Sequence, residues 1–177
     1  IGVRLVGSEM CIRDSSTTPL VLDADALNCV AKQPEILLRK KAPIIITPHP
    51  GEMSRLTGLA TPLVNAERER VALDFAQKYG VVTVLKGAGT VIASPNGKVL
   101  VNPTGNSGMA TGGSGDVLAG MTASILAQGA SPFSSAAAEV YLHGLAGDIA
   151  AEKYGKISML PTDLINCIPL AYKRCGF

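Results

Sequence analysis

The run Asn102-Pro103-Thr104-Gly105-Asn106-Ser107-Gly108-Met109-Ala110-Thr111-Gly112-Gly113-Ser114-Gly115-Asp116 lies between an apolar triplet, Val99-Leu100-Val101, and a stretch with Leu118, Met121 and Ile125 at one-face helical spacing. Strand, glycine turn and helix in that order form a unit whose backbone can hold an anion. Gly112 to Gly115 carry almost no side-chain bulk, so several N–H groups can point at one spot, and the following helix adds its positive end there. Asp116 is out of place in a pure phosphate cradle, because two negative groups repel. It fits a base that takes a proton from a hydroxyl while the nest holds the phosphoryl group that reacts with it. The alternative is an ordinary flexible loop with Ser114 or Asp116 as the helix N-cap.

Upstream, the chain alternates between strands and helices. Leu20-Val21-Leu22 reads as a buried strand running into Asp23-Ala24-Asp25-Ala26-Leu27-Asn28, followed by a helical segment to Lys41 that Pro34 interrupts. Ile44-Ile45-Ile46 is a second strand, ending at Thr47-Pro48-His49-Pro50-Gly51-Glu52. Thr61 is expected to cap a helix with Pro62 at its first position, Val64, Val71, Phe75 and Tyr79 lining one face. Val81 to Leu85 is a third strand, and Pro95-Asn96-Gly97 turns a hairpin between Val91-Ile92-Ala93 and Lys98 to Val101. Ser131-Pro132 opens a helix to about Lys153, and Pro161 opens a last one that Pro169 should bend. This alternation predicts an α/β fold, a mostly parallel sheet with helices on both faces and strand-end loops gathered into one site.

Composition agrees and excludes other classes. At 177 residues one domain is expected, here 16–177, and 47% hydrophobic residues with only 4% aromatics give an aliphatic core suited to helices on a parallel sheet. A net charge of +2 without a dense basic cluster argues against nucleic acid, and no apolar stretch has membrane-spanning length. The four cysteines form no Cys-x-x-Cys pair and no disulfide framework, so reduced thiols and a cytoplasmic setting are expected. Residues 1–15 fit no periodic template and are read as a non-native or unstructured leader. Val6 to Ser15 resembles a translated adapter junction, with a poorly patterned genuine arm as the alternative.

Three other strand ends carry chemistry. Lys86-Gly87-Ala88-Gly89-Thr90 offers a cation, two glycines that admit a nucleotide, and a hydroxyl; a tight turn with a solvated lysine is the competing reading. His49 and Glu52 put an imidazole and a carboxylate at the mouth of the second strand, with helix capping by Glu52 as the rival. Asp23 and Asp25 should point to the same side if the alternation continues, or else cap the next helix. His143, in Tyr141-Leu142-His143-Gly144-Leu145-Ala146-Gly147-Asp148, reads as core beside close helix packing.

Together, Leu22 to Asn28, Thr47 to Met53, Leu85 to Thr90, Asn102 to Gly120 and His143 to Asp148 resemble the ADP- or ATP-dependent NAD(P)H-hydrate dehydratases. The resemblance implies a ribokinase-like three-layer sandwich and a repair lyase that restores NADH or NADPH from its hydrate. It implies that Lys86, Gly87, Ala88, Gly89, Thr90, Gly113, Ser114 and Gly115 surround ADP or ATP, that His49 and Asp116 meet the hydrate, and that Asp116 is catalytic. Related kinases carry Asn-x-x-Glu where this chain has His49-x-x-Glu52, so by analogy Glu52 organises Mg2+ through water.

Members of the family have a substantial part before the Leu-Asp-Ala-Asp block. The chain is therefore expected to be the C-terminal portion, with a homo-oligomer and an upstream epimerase domain compatible with the resemblance. A kinase of the same fold acting on a small alcohol, and an inactive nucleotide-binding fragment, are the alternative functions.

Overall fold

A computed structural model describes residues 17–177; the leader expected over 1–15 lies outside the described residues. Five short, mostly apolar runs build the sheet. β1 (Leu20–Leu22) pairs in parallel with β2 (Ile44–Ile46), Leu20 opposite Ile44, and β2 pairs in parallel with β3 (Val82–Leu85), Ile45 opposite Val82. β4 (Val91–Ala93) runs antiparallel to β3, Val84 opposite Ile92, and β5 (Val99–Val101) follows it in the order β1-β2-β3-β4-β5. β-branched residues dominate because a pleated surface buried on both faces rewards stiff, branched side chains. Ile44, Ile45 and Ile46 are all buried.

Residue contacts group the chain into two compact units, one running up to Gly87 with Val91–Leu100, the other comprising Ala88–Thr90 and Val101–Phe177. In the first unit, helices α1 (Asp25–Ala31), α2 (Pro50–Thr57), α3 (Thr61–Ala66) and α4 (Arg68–Tyr79) accompany the sheet, with a 3-10 turn at Pro34–Arg39 where Pro34 ends the α-helical hydrogen bonding. Val71, Ala72, Phe75, Ala76 and Tyr79 form the buried stripe of α4 and join Leu27, Leu37, Ile44, Ile46, Met53 and Leu85 in one core. The expected Thr61 cap is corrected. Ala60 is the N-cap, Thr61 and Pro62 occupy the first turn, and the pattern read as one helix breaks at Glu67 (φ −125°, ψ 43°).

The second unit is three helices and a long loop. α5 (Ser114–Ala127), α6 (Pro132–Tyr154) and α7 (Pro161–Arg174) pack around Leu142, Ala146, Ile149, Ala150, Leu164, Cys167 and Ala171. Ser131 caps α6 through its hydroxyl, as its Ser-Pro signature suggests. α7 runs as one helix through Pro169 to Arg174. Cys29, Cys167 and Cys175 are free thiols, and no helix among the described residues is long and apolar enough to cross a membrane.

The loop 102–109 lies directly on α6, and two glycines make this possible. A Cβ on Gly144 would stand 2.1 Å from Thr104 Oγ1 and 2.8 Å from the Thr104 carbonyl carbon; one on Gly147 would stand 2.3 Å from Met109 Sδ. Hydrogen bonds follow the same line. Thr104 Oγ1 donates to Tyr141 O (2.9 Å), Asn106 Nδ2 to Gly147 O (3.0 Å) and Asp148 Oδ1 (2.9 Å), and Gly105 N–H to Asp148 Oδ2 (2.9 Å).

α6 and α7 are joined by Glu139, which is 1% exposed and accepts a hydrogen bond from Tyr172 Oη (2.8 Å) on Oε1, while Oε2 has no hydrogen-bond partner. Burial pushes the Glu139 carboxyl above the usual carboxylate range, the Tyr172 hydrogen bond offsetting part of this, and Tyr172 is pushed up to about 12 by burial and then by Glu139.

Two outcomes follow. Gly144→Ala is expected to cost about 1–3 kcal/mol by forcing the Thr104 backbone off α6, read as a lower midpoint in urea unfolding. Glu139 binds its proton more tightly folded than unfolded, so its contribution to stability is complete below about pH 4.3 and is lost as pH rises through the raised folded value. Glu139→Gln should therefore flatten the fall in melting temperature over that window.

Candidate functional site

In the first unit, parallel pairing brings the carboxyl ends of β1, β2 and β3 to the same edge of the sheet. These ends are tied together. Lys86, one residue past β3, donates its backbone N–H to Pro48 O beyond β2 (2.8 Å), and its ammonium lies 2.6 Å from Asp23 Oδ1 beyond β1. Both side chains are largely buried, so Lys86 is not the solvated turn lysine of the competing reading, and the positive charge it presents is already shared with Asp23.

Asp23 and Asp25 do not act together as strand alternation suggested. The strand stops at Leu22, and Ala24 turns the corner at φ 49°, ψ −119°, a conformation costing on the order of 1–3 kcal/mol for a residue with a Cβ. Asp23 therefore faces Lys86, while Asp25 enters the first turn of α1 and accepts from Asn28 Nδ2 (3.4 Å).

His49 and Glu52 form a capping box at α2. Gly51 and Glu52 N–H groups donate to His49 Nδ1 (2.9 and 3.3 Å), and His49 N–H donates to Glu52 Oε2 (2.7 Å). The capping role weighed for Glu52 is thus realised, and His49 caps as well, its Nδ1 accepting from backbone N–H groups. Because Nδ1 accepts, a neutral His49 carries its proton on Nε2. That nitrogen belongs to a side chain 52% exposed and lies 3.6 Å from Glu52 Oε1. Among the described residues no three His, Cys, Asp or Glu side chains cluster as a metal cage.

The second unit holds the glycine nest. Neither Ser114 nor Asp116 is the N-cap of α5; Gly113 is, at φ 100°, with its Cα packed so that a Cβ would meet the Pro161 ring at 3.2 Å. A left-handed, crowded position of this kind accepts glycine alone. Glycine has no side chain with which to cap, so the first helix-closing bond is Val117 N–H to Gly113 O (3.1 Å), and the Gly115 and Asp116 amides lie ahead of it. Gly112 has open space where a Cβ would be, and the Asp116 side chain is exposed beside these amides.

Ser114 is buried, its hydroxyl 3.2 Å from Thr111 Oγ1. Thr90 of the Lys86–Thr90 segment belongs to this unit through Asn102 N–H donating to Thr90 O (2.8 Å). The structure thus gathers Asp23, His49, Glu52 and Lys86 in one unit and Gly113, Ser114, Gly115 and Asp116 in the other, with Gly87 on the first side of the division and Ala88, Gly89 and Thr90 on the second.

Sequence reading missed the anchoring role of Asp148 and Asn106 and the Lys86–Asp23 pair. The only signal for Asp148 was its place just after two small helical residues, and for the pair there was none, since 63 residues separate its members.

A family model described as NAD(P)H-hydrate dehydratase matches residues 12–170. Over 156 residues the chain is 48% identical to the bifunctional NAD(P)H-hydrate repair enzyme of Moorella thermoacetica, covering 88% of this chain and 29% of that one. The crystal structure of the ADP/ATP-dependent NAD(P)H-hydrate dehydratase of Bacillus subtilis, co-crystallised with ATP and Mg2+, superposes with a TM-score of 0.82 at 36% identity, covering 90% of this chain and 56% of that one. A ribokinase-like superfamily protein of Enterococcus faecalis superposes equally well, TM-score 0.82 at 29% identity, covering 98% and 60%. The chain therefore has the ribokinase-like α/β fold and spans between under a third and about three fifths of the length of these relatives.

His49 serves as cap and offers Nε2, and two variants separate these roles. His49→Ala is expected to lose about 1 kcal/mol through the cap, whereas His49→Asn, which caps as well as any residue, should melt near the wild-type temperature while lacking the imidazole Nε2. Thermal unfolding of the two proteins checks this.

Proposed function

The chain belongs to the NAD(P)H-hydrate dehydratase family, and from that premise we propose that it removes water from hydrated NADH or NADPH, driven by phosphoryl transfer from ADP or ATP. The observation that carries the proposal is the start of α5, where amides left uncapped by Gly113 stand next to the exposed carboxylate of Asp116. The Gly113 to Gly115 backbone takes the terminal phosphoryl group, as an uncapped helix start favours anions. Asp116 accepts the proton of the ring hydroxyl as that oxygen attacks phosphorus. The bond from phosphorus to the departing AMP or ADP oxygen breaks as the ester forms; the C–O bond then breaks with phosphate as the leaving group, a far better one than water, and the adjacent ring carbon releases a proton to solvent as the double bond forms.

In this reading Lys86, Gly87, Ala88, Gly89 and Thr90 take the rest of the nucleotide, and His49 meets the hydrate through Nε2–H. Mg2+ would be held mainly by phosphate oxygens and water, the hard oxygen donors it prefers. Glu52 would contribute through water with Oε1, the oxygen not used in its cap. Mg2+ supplies charge neutralisation on the transferring phosphate. A homo-oligomer and a longer native protein bearing an epimerase domain belong to the same proposal.

The test is a product assay with hydrated NADH and ADP or ATP. Dehydration releases inorganic phosphate together with the absorbance of reduced nicotinamide. A stable phosphorylated product would instead mark a kinase, and nucleotide binding without hydrolysis an inactive fragment. Asp116→Asn is expected to lower turnover by about 10²–10⁴-fold, with nucleotide affinity from calorimetry nearly unchanged; loss of nucleotide binding would make Asp116 a structural residue.

A further inference from the structure

We infer that His143 is the positioning residue of the phosphate nest: through Nε2–H it holds the Ser114–Gly115 peptide so that the Gly115 N–H faces the anion. The inference rests on the proposed phosphoryl-transfer site and adds a residue that acts through the backbone without touching the nucleotide.

The geometry is direct. His143, on α6, is 8% exposed, and its Nε2 lies 2.9 Å from Ser114 O in the first turn of α5. A carbonyl oxygen only accepts, so Nε2 carries the proton in this contact. Ser114 O and Gly115 N–H belong to one planar peptide unit, so fixing the oxygen fixes the direction of the N–H. A donor on the oxygen also polarises the same amide and makes its N–H a stronger donor, an effect enhanced by exclusion of water.

The nest needs an outside anchor. Three of its four residues are glycine, Gly113 has no capping side chain, and the local bond from Ser114 N–H to Thr111 O is long, at 3.4 Å. α6 is itself fixed to the preceding loop by Asp148 and by the Gly144 and Gly147 contacts, so His143 stands on a braced helix.

The test compares wild type with His143→Leu, His143→Asn and His143→Gln. Gln carries an amide donor at about the reach of Nε2, Asn falls short, and Leu has none. In 15N-resolved NMR spectra of the free protein, the Gly115 amide should shift in the Leu and Asn variants and return toward wild type in Gln. Titration with Mg·ADP should show affinity weakened about fivefold in Leu and Asn, the scale of one lost hydrogen bond, and recovered to within about twofold in Gln.

An unchanged Gly115 amide in the Leu and Asn variants would overturn the inference, as would a Gln variant as weak as Leu. If wild type binds neither ADP nor ATP while the Gly115 amide still follows the Leu-to-Gln series, the functional proposal fails and the positioning by His143 stands. If the Leu variant does not fold, the Asn and Gln pair decides.

Discussion

A glycine-rich backbone becomes a binding site only when something else holds it still, and both units of this protein are built around that constraint. The loop 102–109 has little side-chain mass with which to pack, so its order comes from α6: from Asp148 and Gly147, which take its amides, and from small residues that let it approach. In the first unit the turn after β3 is held the same way, by Pro48 O on its backbone and Asp23 on its lysine. In each case entropy that glycine would otherwise keep is removed by a neighbouring element.

The buried polar groups show two solutions to desolvation. Glu52 is buried yet satisfied, since its carboxylate closes the capping box of α2. Glu139 is more deeply buried and has a single hydrogen bond, so its proton is held more tightly than in water. The first arrangement orients His49 at a strand end. The second ties α6 to α7 and makes that junction sensitive to pH.

Family membership and these local geometries support one another at different levels. The relatives show which fold and which family the chain belongs to. The uncapped start of α5, the tautomer imposed on His49 by its cap, and the contact of His143 with Ser114 are properties of this chain's own atoms.

The sequence by itself determined the order of the strands, the buried stripe of α4, the hairpin at Pro95-Asn96-Gly97, the Ser131 cap and the glycine nest ahead of α5, because each rests on periodicity or on turn chemistry within a few residues, whereas the helix α2 that starts at Pro50 was not read from it. It also singled out the residues on which the family resemblance rests. Only the tertiary structure decided that Ala24 turns Asp23 away from Asp25, that Glu67 breaks a helix the pattern joined, that Gly113 rather than Ser114 or Asp116 caps α5, and that Lys86, Asp148 and His143 bind partners 63, 43 and 29 residues away. The physical reason is range. Side-chain spacing and backbone propensity act over one or two turns, whereas a carboxylate or an imidazole is assigned its partner by whichever donor or acceptor the packing brings within about 3 Å.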